Sequence, residues 1–209
     1  MMELLEGETL ASLLERGARL DIRRCASILE PVCGALQVAH DQGIVHRDVK
    51  PENVFLHRGS GGEVVKVVDF GIAALLQTTE AATLANKLTG TNVVMGTPAY
   101  VAPERVLGDA FDGRADVYSV GVMAYEMLTG TLPIEHDGRS VGLAAFVKQA
   151  TGRVHPLRER LPDVGAEIEM LVMRALAREP TERPSAMQFA DELKRLATAS
   201  HRATPSASA

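Results

Sequence analysis

The sequence predicts a mainly α-helical fold with a small β element, on three observations. Ile28, Val32, Ala35, Leu36 and Ala39 recur at the three- and four-residue spacing that puts apolar side chains on one helix face. Val117 to Leu128 is apolar nearly all round, a pattern a helix tolerates only when it is buried on every side. Two short strand-like runs, Val54-Phe55-Leu56 and Val64-Val65-Lys66-Val67-Val68, flank the glycine-rich stretch Arg58-Gly59-Ser60-Gly61-Gly62, which reads as a hairpin turn.

Taken in order, a short helix is predicted from Thr9 to Gly17 and a longer one from Ile22 to Gln42, which Gly43 ends. Pro31 interrupts the second and is a point of local kinking. After the hairpin, the stretch between Gly71 and Gly96 is rich in Thr, Ala and Gly and has no strong apolar period, so it reads as a loop. The apolar helix follows as the central pillar, and Thr129-Gly130-Thr131-Leu132-Pro133 breaks it. A further helix is expected over Val141 to Gln149 with a partly exposed apolar face. Ile168, Leu171, Val172, Ala175 and Leu176 form an amphipathic pattern, and Ser185 to Leu196 another with Ser185 as N-cap. From Ala197 the chain is Ala, Ser and Thr without apolar period and is expected to be disordered.

A chain of 209 residues can bury a sizeable core. The formal charge of −5, with no basic block, gives a nucleic acid nothing to bind. Cys25 and Cys33 read as small buried residues of a reducing compartment, and the histidines show no metal-ligand spacing. There is no signal-peptide pattern, and the most apolar stretch, Val117 to Leu128, is too short to cross a bilayer. These features predict a soluble, cytoplasmic protein with no membrane segment.

The chemistry concentrates in His46-Arg47-Asp48-Val49-Lys50-Pro51-Glu52-Asn53. Asp48 is placed to accept a proton, Lys50 to reach a transferred phosphate, and Asn53 to hold a divalent metal, which is the inventory of a phosphoryl-transfer site. Further motifs follow in a fixed order: Asp69-Phe70-Gly71 behind a hydrophobic strand, Gly96-Thr97-Pro98-Ala99-Tyr100-Val101-Ala102-Pro103-Glu104, Asp116-Val117-Tyr118-Ser119-Val120-Gly121, and Arg183-Pro184. Together they resemble the bacterial protein serine/threonine kinases of the eukaryotic-like type, over roughly residues 2 to 196.

That resemblance implies a protein-kinase-like fold, here the large helical C-terminal lobe, with a short β-hairpin pair carrying the catalytic and metal-binding loops. It divides the chain into a hinge (1–10), the lobe (11–196, with catalytic loop 46–53 and activation segment 69–104) and a disordered tail (197–209). The implied cofactors are ATP and Mg²⁺ or Mn²⁺. Asp48 would be the base, Lys50 the phosphate-facing cation and Thr97 the residue beside the acceptor hydroxyl, while Asn53 and Asp69 would hold metal. Adenine would meet Glu3 and Leu5 of the hinge, with Met2 as gatekeeper and Phe55 as floor. Thr89 and Thr91 stand where relatives carry phosphorylated threonines, with Thr78, Thr79 and Thr83 weaker candidates, and Arg47 would pair with the added phosphate. In the same pattern Asp116 accepts backbone N–H groups of the catalytic loop, fixing His46 and Arg47. Glu104 and Arg183 form a buried ion pair.

A kinase N-terminal lobe would add a glycine-rich loop, a strand lysine and a helix glutamate, none of which is found in this sequence. The Gly59–Gly62 run is a hairpin turn, and Lys66 reads as an exposed strand residue on the wrong side of the hinge. The expectation is therefore a protein serine/threonine kinase acting on serine and threonine hydroxyls of protein substrates, with weak or no activity as this chain alone and the missing lobe encoded upstream. Two alternatives stay open. One is a non-catalytic lone lobe serving as a binding or scaffold module. The other is a small-molecule phosphotransferase of the aminoglycoside type, against which Asp69-Phe70-Gly71, Ala102-Pro103-Glu104 and Lys50 speak.

Overall fold

The computed structural model describes residues 5–17, 19–59, 61–70, 98–135 and 143–202. Its centre is α4 (Arg114–Thr129), in which every residue from Ala115 to Tyr125 is buried. No polar stripe breaks this helix because it is walled in on all sides, and Gly130 ends it in the left-handed conformation at φ 71°. Gly121 sets the distance to α7 (Ala166–Ala175), since a Cβ there would lie 2.8 Å from the Ala175 Cβ.

Helix α2 (Ile22–His40) lies against α4 and buries Ile28, Leu29, Val32 and Leu36, with Pro31 accommodated inside it. Asp21 caps its N-terminus, accepting from the Arg23 and Arg24 amides at 2.9 and 2.8 Å. The helix stops at His40, and Gly43, with φ 72°, donates its amide to the His40 carbonyl at 2.9 Å. This turn aims the chain at the motif that begins at His46.

The β part is one antiparallel sheet of three strands in the order β1 (Gly7–Thr9), β2 (Val54–Gly59), β3 (Gly62–Val67). The hairpin of the sequence reading is β2–β3, in which Phe55 pairs with Lys66. The preceding segment adds a third strand that pairs Thr9 with Phe55. Gly7 is required there, because a Cβ would sit 2.0 Å from the Leu56 carbonyl oxygen. Thr9 then caps α1 (Leu10–Glu15), its hydroxyl accepting from the Ser12 amide at 3.2 Å. Lys66, expected to be exposed, is half-buried.

Beyond the pillar come α3 (Pro103–Leu107), α5 (Leu143–Thr151), α6 (Leu157–Arg160), α7 and α8 (Ala186–Arg202). Helix α8 starts with a capping box: Ser185 Oγ accepts from the Gln188 amide at 3.1 Å while Gln188 Oε1 accepts from the Ser185 amide at 2.8 Å. It packs along α2 through Phe189 and Leu193, both fully buried.

Of the expected disordered tail 197–209, residues 197–202 are instead helical, because α8 runs on to Arg202 with Leu196 and Ala197 buried, and 203–209 lie outside the described residues. Alanine is the strongest helix former, and extending a helix already docked costs far less than nucleating one. The Thr198 and Ser200 hydroxyls are absorbed by bonds to the carbonyls of Lys194 and Leu196, at 2.8 and 3.1 Å.

Candidate active site

The loop after α2 is fixed from beneath by Asp116, the third residue of α4 and 1% exposed. Its carboxylate accepts the His46 amide on Oδ2 and the Arg47 amide on Oδ1, both at 2.9 Å, and the His40 Nε2 at 2.8 Å. Three donors match what a buried carboxylate requires.

Arg47 has φ 71°, a left-handed backbone that costs a non-glycine residue roughly 1–2 kcal/mol. It is held from both ends, since Asp116 takes its N–H and the Arg105 guanidinium donates to its carbonyl. The side chains of both arginines stand 5.5 Å from the centre of the Phe111 ring.

His46 joins the loop to the end of β3. Nε2 donates to the Val68 carbonyl at 3.1 Å and Nδ1 accepts the Asp48 amide at 3.3 Å, so the partners select the Nε2–H tautomer. The imidazole also lies 4.5 Å from the Phe70 ring, tilted by 49°. Val68 returns its amide to the Asn53 carbonyl at 2.9 Å. These bonds bring Asp69, one residue further, alongside the Asp48–Asn53 turn although the two are far apart in sequence.

On that turn, Asp48 is the focus. Lys50 Nζ donates to its Oδ2 at 2.7 Å, and Asn53 Nδ2 donates to the same oxygen at 3.1 Å and to the Asp48 carbonyl at 2.7 Å. The Asp48 carboxylate stays open, its side chain 56% exposed, while Asn53 is buried. With its NH₂ group spent on Asp48, the Asn53 amide oxygen accepts no hydrogen bond among the described residues. Asp69, at φ 56°, is exposed.

The fit to a hard cation follows from the donors. Among the described residues no group of three or more His, Cys, Asp or Glu is arranged to hold a metal. An amide oxygen such as that of Asn53 and a carboxylate such as that of Asp69 are the hard donor types that suit Mg²⁺ when phosphate oxygens and water complete its shell.

The far wall is the segment Pro98–Val101 and the helix after it. Glu104 meets Arg183 through two parallel bonds of 2.6 and 2.8 Å, both side chains buried. Arg183 gives its remaining N–H groups to the carbonyls of Ala177, Arg114 and Arg178, so all five donors are satisfied. The Tyr100 hydroxyl donates to Glu126 at 2.6 Å. Burial, reinforced by Glu126, pushes the Tyr100 phenol far up, and burial also raises the Glu126 carboxyl. Beside Lys50 the surface dips into a pocket of about 210 Å³ lined by Leu14, Glu15, Pro51, Glu52, Tyr100 and Glu126.

Of the sequence-predicted site residues, Asp48, Lys50 and Asn53 are in direct contact, and His46, Arg47 and Asp116 form the support beneath them. Phe55 is half-buried in β2, and Leu5 lies two residues before β1, the strand paired with β2; the Glu6 carbonyl accepts the Arg58 amide at 2.7 Å. Glu3, Thr89, Thr91 and Thr97, with Thr78, Thr79 and Thr83, lie outside the described residues. Sequence reasoning missed His40, Arg105 and Glu126, which carry no motif of their own, and gave Ser119 no role within its motif; all four act through contacts formed on folding.

The protein kinase domain model matches residues 1–193, and this chain belongs to that family. Within it, the chain falls with the bacterial eukaryotic-like serine/threonine kinases. It is 40% identical over 202 residues to the serine/threonine-protein kinase Pkn1 of Myxococcus xanthus, an alignment covering 96% of this chain and 28% of that protein. It is 38% identical over 183 residues to the serine/threonine-protein kinase PknB of Mycolicibacterium smegmatis, covering 88% of this chain and 28% of that one. The crystal structure of the Mycobacterium tuberculosis PknI kinase domain matches with a TM-score of 0.68 at 28% identity, over 93% of this chain and 64% of the other. This chain thus spans under a third of the length of those two relatives. Among the described residues no helix is long and apolar enough to cross a membrane.

Proposed function

We propose that this chain transfers the γ-phosphate of ATP to serine and threonine hydroxyls of proteins. The observation that carries the reading is the engagement of one open carboxylate, Asp48, by Lys50 at 2.7 Å and Asn53 at 3.1 Å, on a loop anchored by the buried Asp116. Asp48 orients the incoming hydroxyl and takes its proton, and Lys50 supplies positive charge to the transferring group. Asn53 and Asp69 would hold Mg²⁺, which when bound would offset charge on the phosphoryl group that ATP donates. Thr97 stands beside the acceptor hydroxyl, Glu3, Leu5 and Phe55 meet the adenine, and Arg47 receives a phosphate placed on Thr89 or Thr91. Residues 1–10 act as the hinge, 46–53 as the catalytic loop and 69–104 as the activation segment. Two free buried thiols fit a cytoplasmic setting.

Catalysis of this kind is positioning plus electrostatics, so each missing cation subtracts from it. Residues 1–209 hold no counterpart of the strand lysine or the glycine-rich loop, and turnover by this chain alone is expected to be slow beside a two-lobed relative. The test is phosphate incorporation into protein acceptors by residues 1–209 with Mg²⁺ and ATP. Slow transfer abolished by Asp48→Asn supports the reading. Turnover comparable to that of a two-lobed relative overturns the expectation of weak activity, and transfer only to hydroxylated antibiotics overturns the reading itself.

A further inference from the structure

Three consecutive carbonyls of the segment Pro98–Val101 are taken by side chains. Gln149 of α5, 1% exposed, directs its amide nitrogen at the Ala99 carbonyl at 2.7 Å, the Val101 carbonyl at 3.2 Å and the Tyr118 hydroxyl at 3.2 Å. Ser119 of α4 donates to the Tyr100 carbonyl between them at 2.7 Å. Tyr118 in turn lies under the Arg183 guanidinium, 5.0 Å from ring centre to Cζ, so Gln149 ties the segment to the pillar that also carries the Glu104–Arg183 pair.

Burying a glutamine is unfavourable unless its amide is bonded, and an apolar residue would fill the same space without that cost. Holding a short stretch by its carbonyls fixes the path of the backbone while leaving its outward side chains free. The segment so held follows directly on Thr97, the residue assigned above to the acceptor hydroxyl.

We propose that Gln149 is a positioning residue for the protein acceptor: from α5 it sets the backbone of residues 99–101 so that an acceptor chain meets Asp48 in register. The inference rests on the kinase reading above. It makes α5 part of acceptor selection although, among the described residues, α5 makes no hydrogen bond to Asp48, Lys50 or Asn53.

The test is Gln149→Met, which keeps the side-chain volume and removes the donor, in residues 1–209, with Ser119→Ala as a second, milder release of the same segment. Amide hydrogen exchange of residues 99–102 and steady-state phosphorylation of dephosphorylated casein are measured together. Faster exchange confined to this segment, with acceptor KM raised about tenfold for Gln149→Met, supports the proposal; this is the scale of one lost buried hydrogen bond. KM for ATP should stay constant. An unchanged acceptor KM despite faster exchange overturns it, as does a parallel shift in KM for ATP, which would mark general loosening. If Gln149→Met does not fold, Ser119→Ala decides by the same criteria. A wild-type chain that transfers phosphate to hydroxylated antibiotics but not to casein overturns the kinase reading instead, and is told apart because wild type and variant are then equally silent on casein while the exchange difference persists.

Discussion

Arg183 and Glu104, 79 residues apart, face each other in the interior with paired bonds of 2.6 and 2.8 Å. The pair joins α3 to the chain between α7 and α8. Arg183→Met leaves Glu104 as an uncompensated buried charge and is expected to destabilise by about 3–5 kcal/mol. Urea unfolding checks this, and a loss below about 1 kcal/mol would contradict it. Adding Glu104→Leu to that variant should recover part of the loss, because the orphaned charge goes with it.

Asp48→Asn should lower phosphate transfer by at least about 10²-fold, the usual contribution of a positioned base. Since the Asp48 side chain is 56% exposed, the unfolding midpoint should hardly move. A rate loss accompanied by an equal loss of stability would assign Asp48 a structural role instead.

Burial holds the Glu126 carboxyl above its usual value of 4.5, so the folded chain favours its protonated form. Its contribution to stability is fully present below about pH 4.5 and is lost as pH rises through the raised folded value. Glu126→Gln removes that titration and leaves an oxygen to accept from Tyr100. Its stability relative to wild type is therefore expected to grow as pH rises above about 4.5. A difference that is flat with pH would rule this out.

Burial pushes both the Cys25 and the Cys33 thiols up to about 12. Neither should react with iodoacetamide at pH 8 in the folded chain, and both should react promptly in urea. Labelling followed by mass spectrometry measures this; rapid native alkylation would mean that α2 opens readily from the core.

Ser185→Ala removes the hydroxyl half of the capping box of α8 and should cost about 1 kcal/mol in urea unfolding. Truncation after Leu196 should destabilise further, because Ala197 is buried against the core. A truncated chain as stable as the whole would return the tail to the disorder first expected of it.

The helical class, the pillar and the hairpin were legible because each rests on a local period: the apolar run Val117–Leu128 has one environment open to it, and glycines between two β-branched runs leave little choice but a turn. Asp48, Lys50 and Asn53 were legible for a similar reason, as six consecutive residues on a tight turn cannot avoid one another. The partners of Asp116 and Glu104 came from family resemblance, since nothing in a carboxylate's neighbours along the chain says which donor will satisfy it. The third strand and the last turns of α8 were not legible. Gly7–Thr9 is too short to show alternation, and an Ala-Ser-Thr run reads as disorder unless a docked helix is already present to extend.

By itself, then, the sequence determined which segments bury an apolar face and which residue types gather on the catalytic turn, because propensity and spacing act over a few residues. Only the tertiary structure decided that Asp116 takes the amides of His46 and Arg47, that Val68 brings Asp69 beside Asn53, and that Gln149 holds the carbonyls of Ala99 and Val101. The physical reason is that a buried polar group must find a partner at about 3 Å wherever the packing of apolar faces happens to bring one.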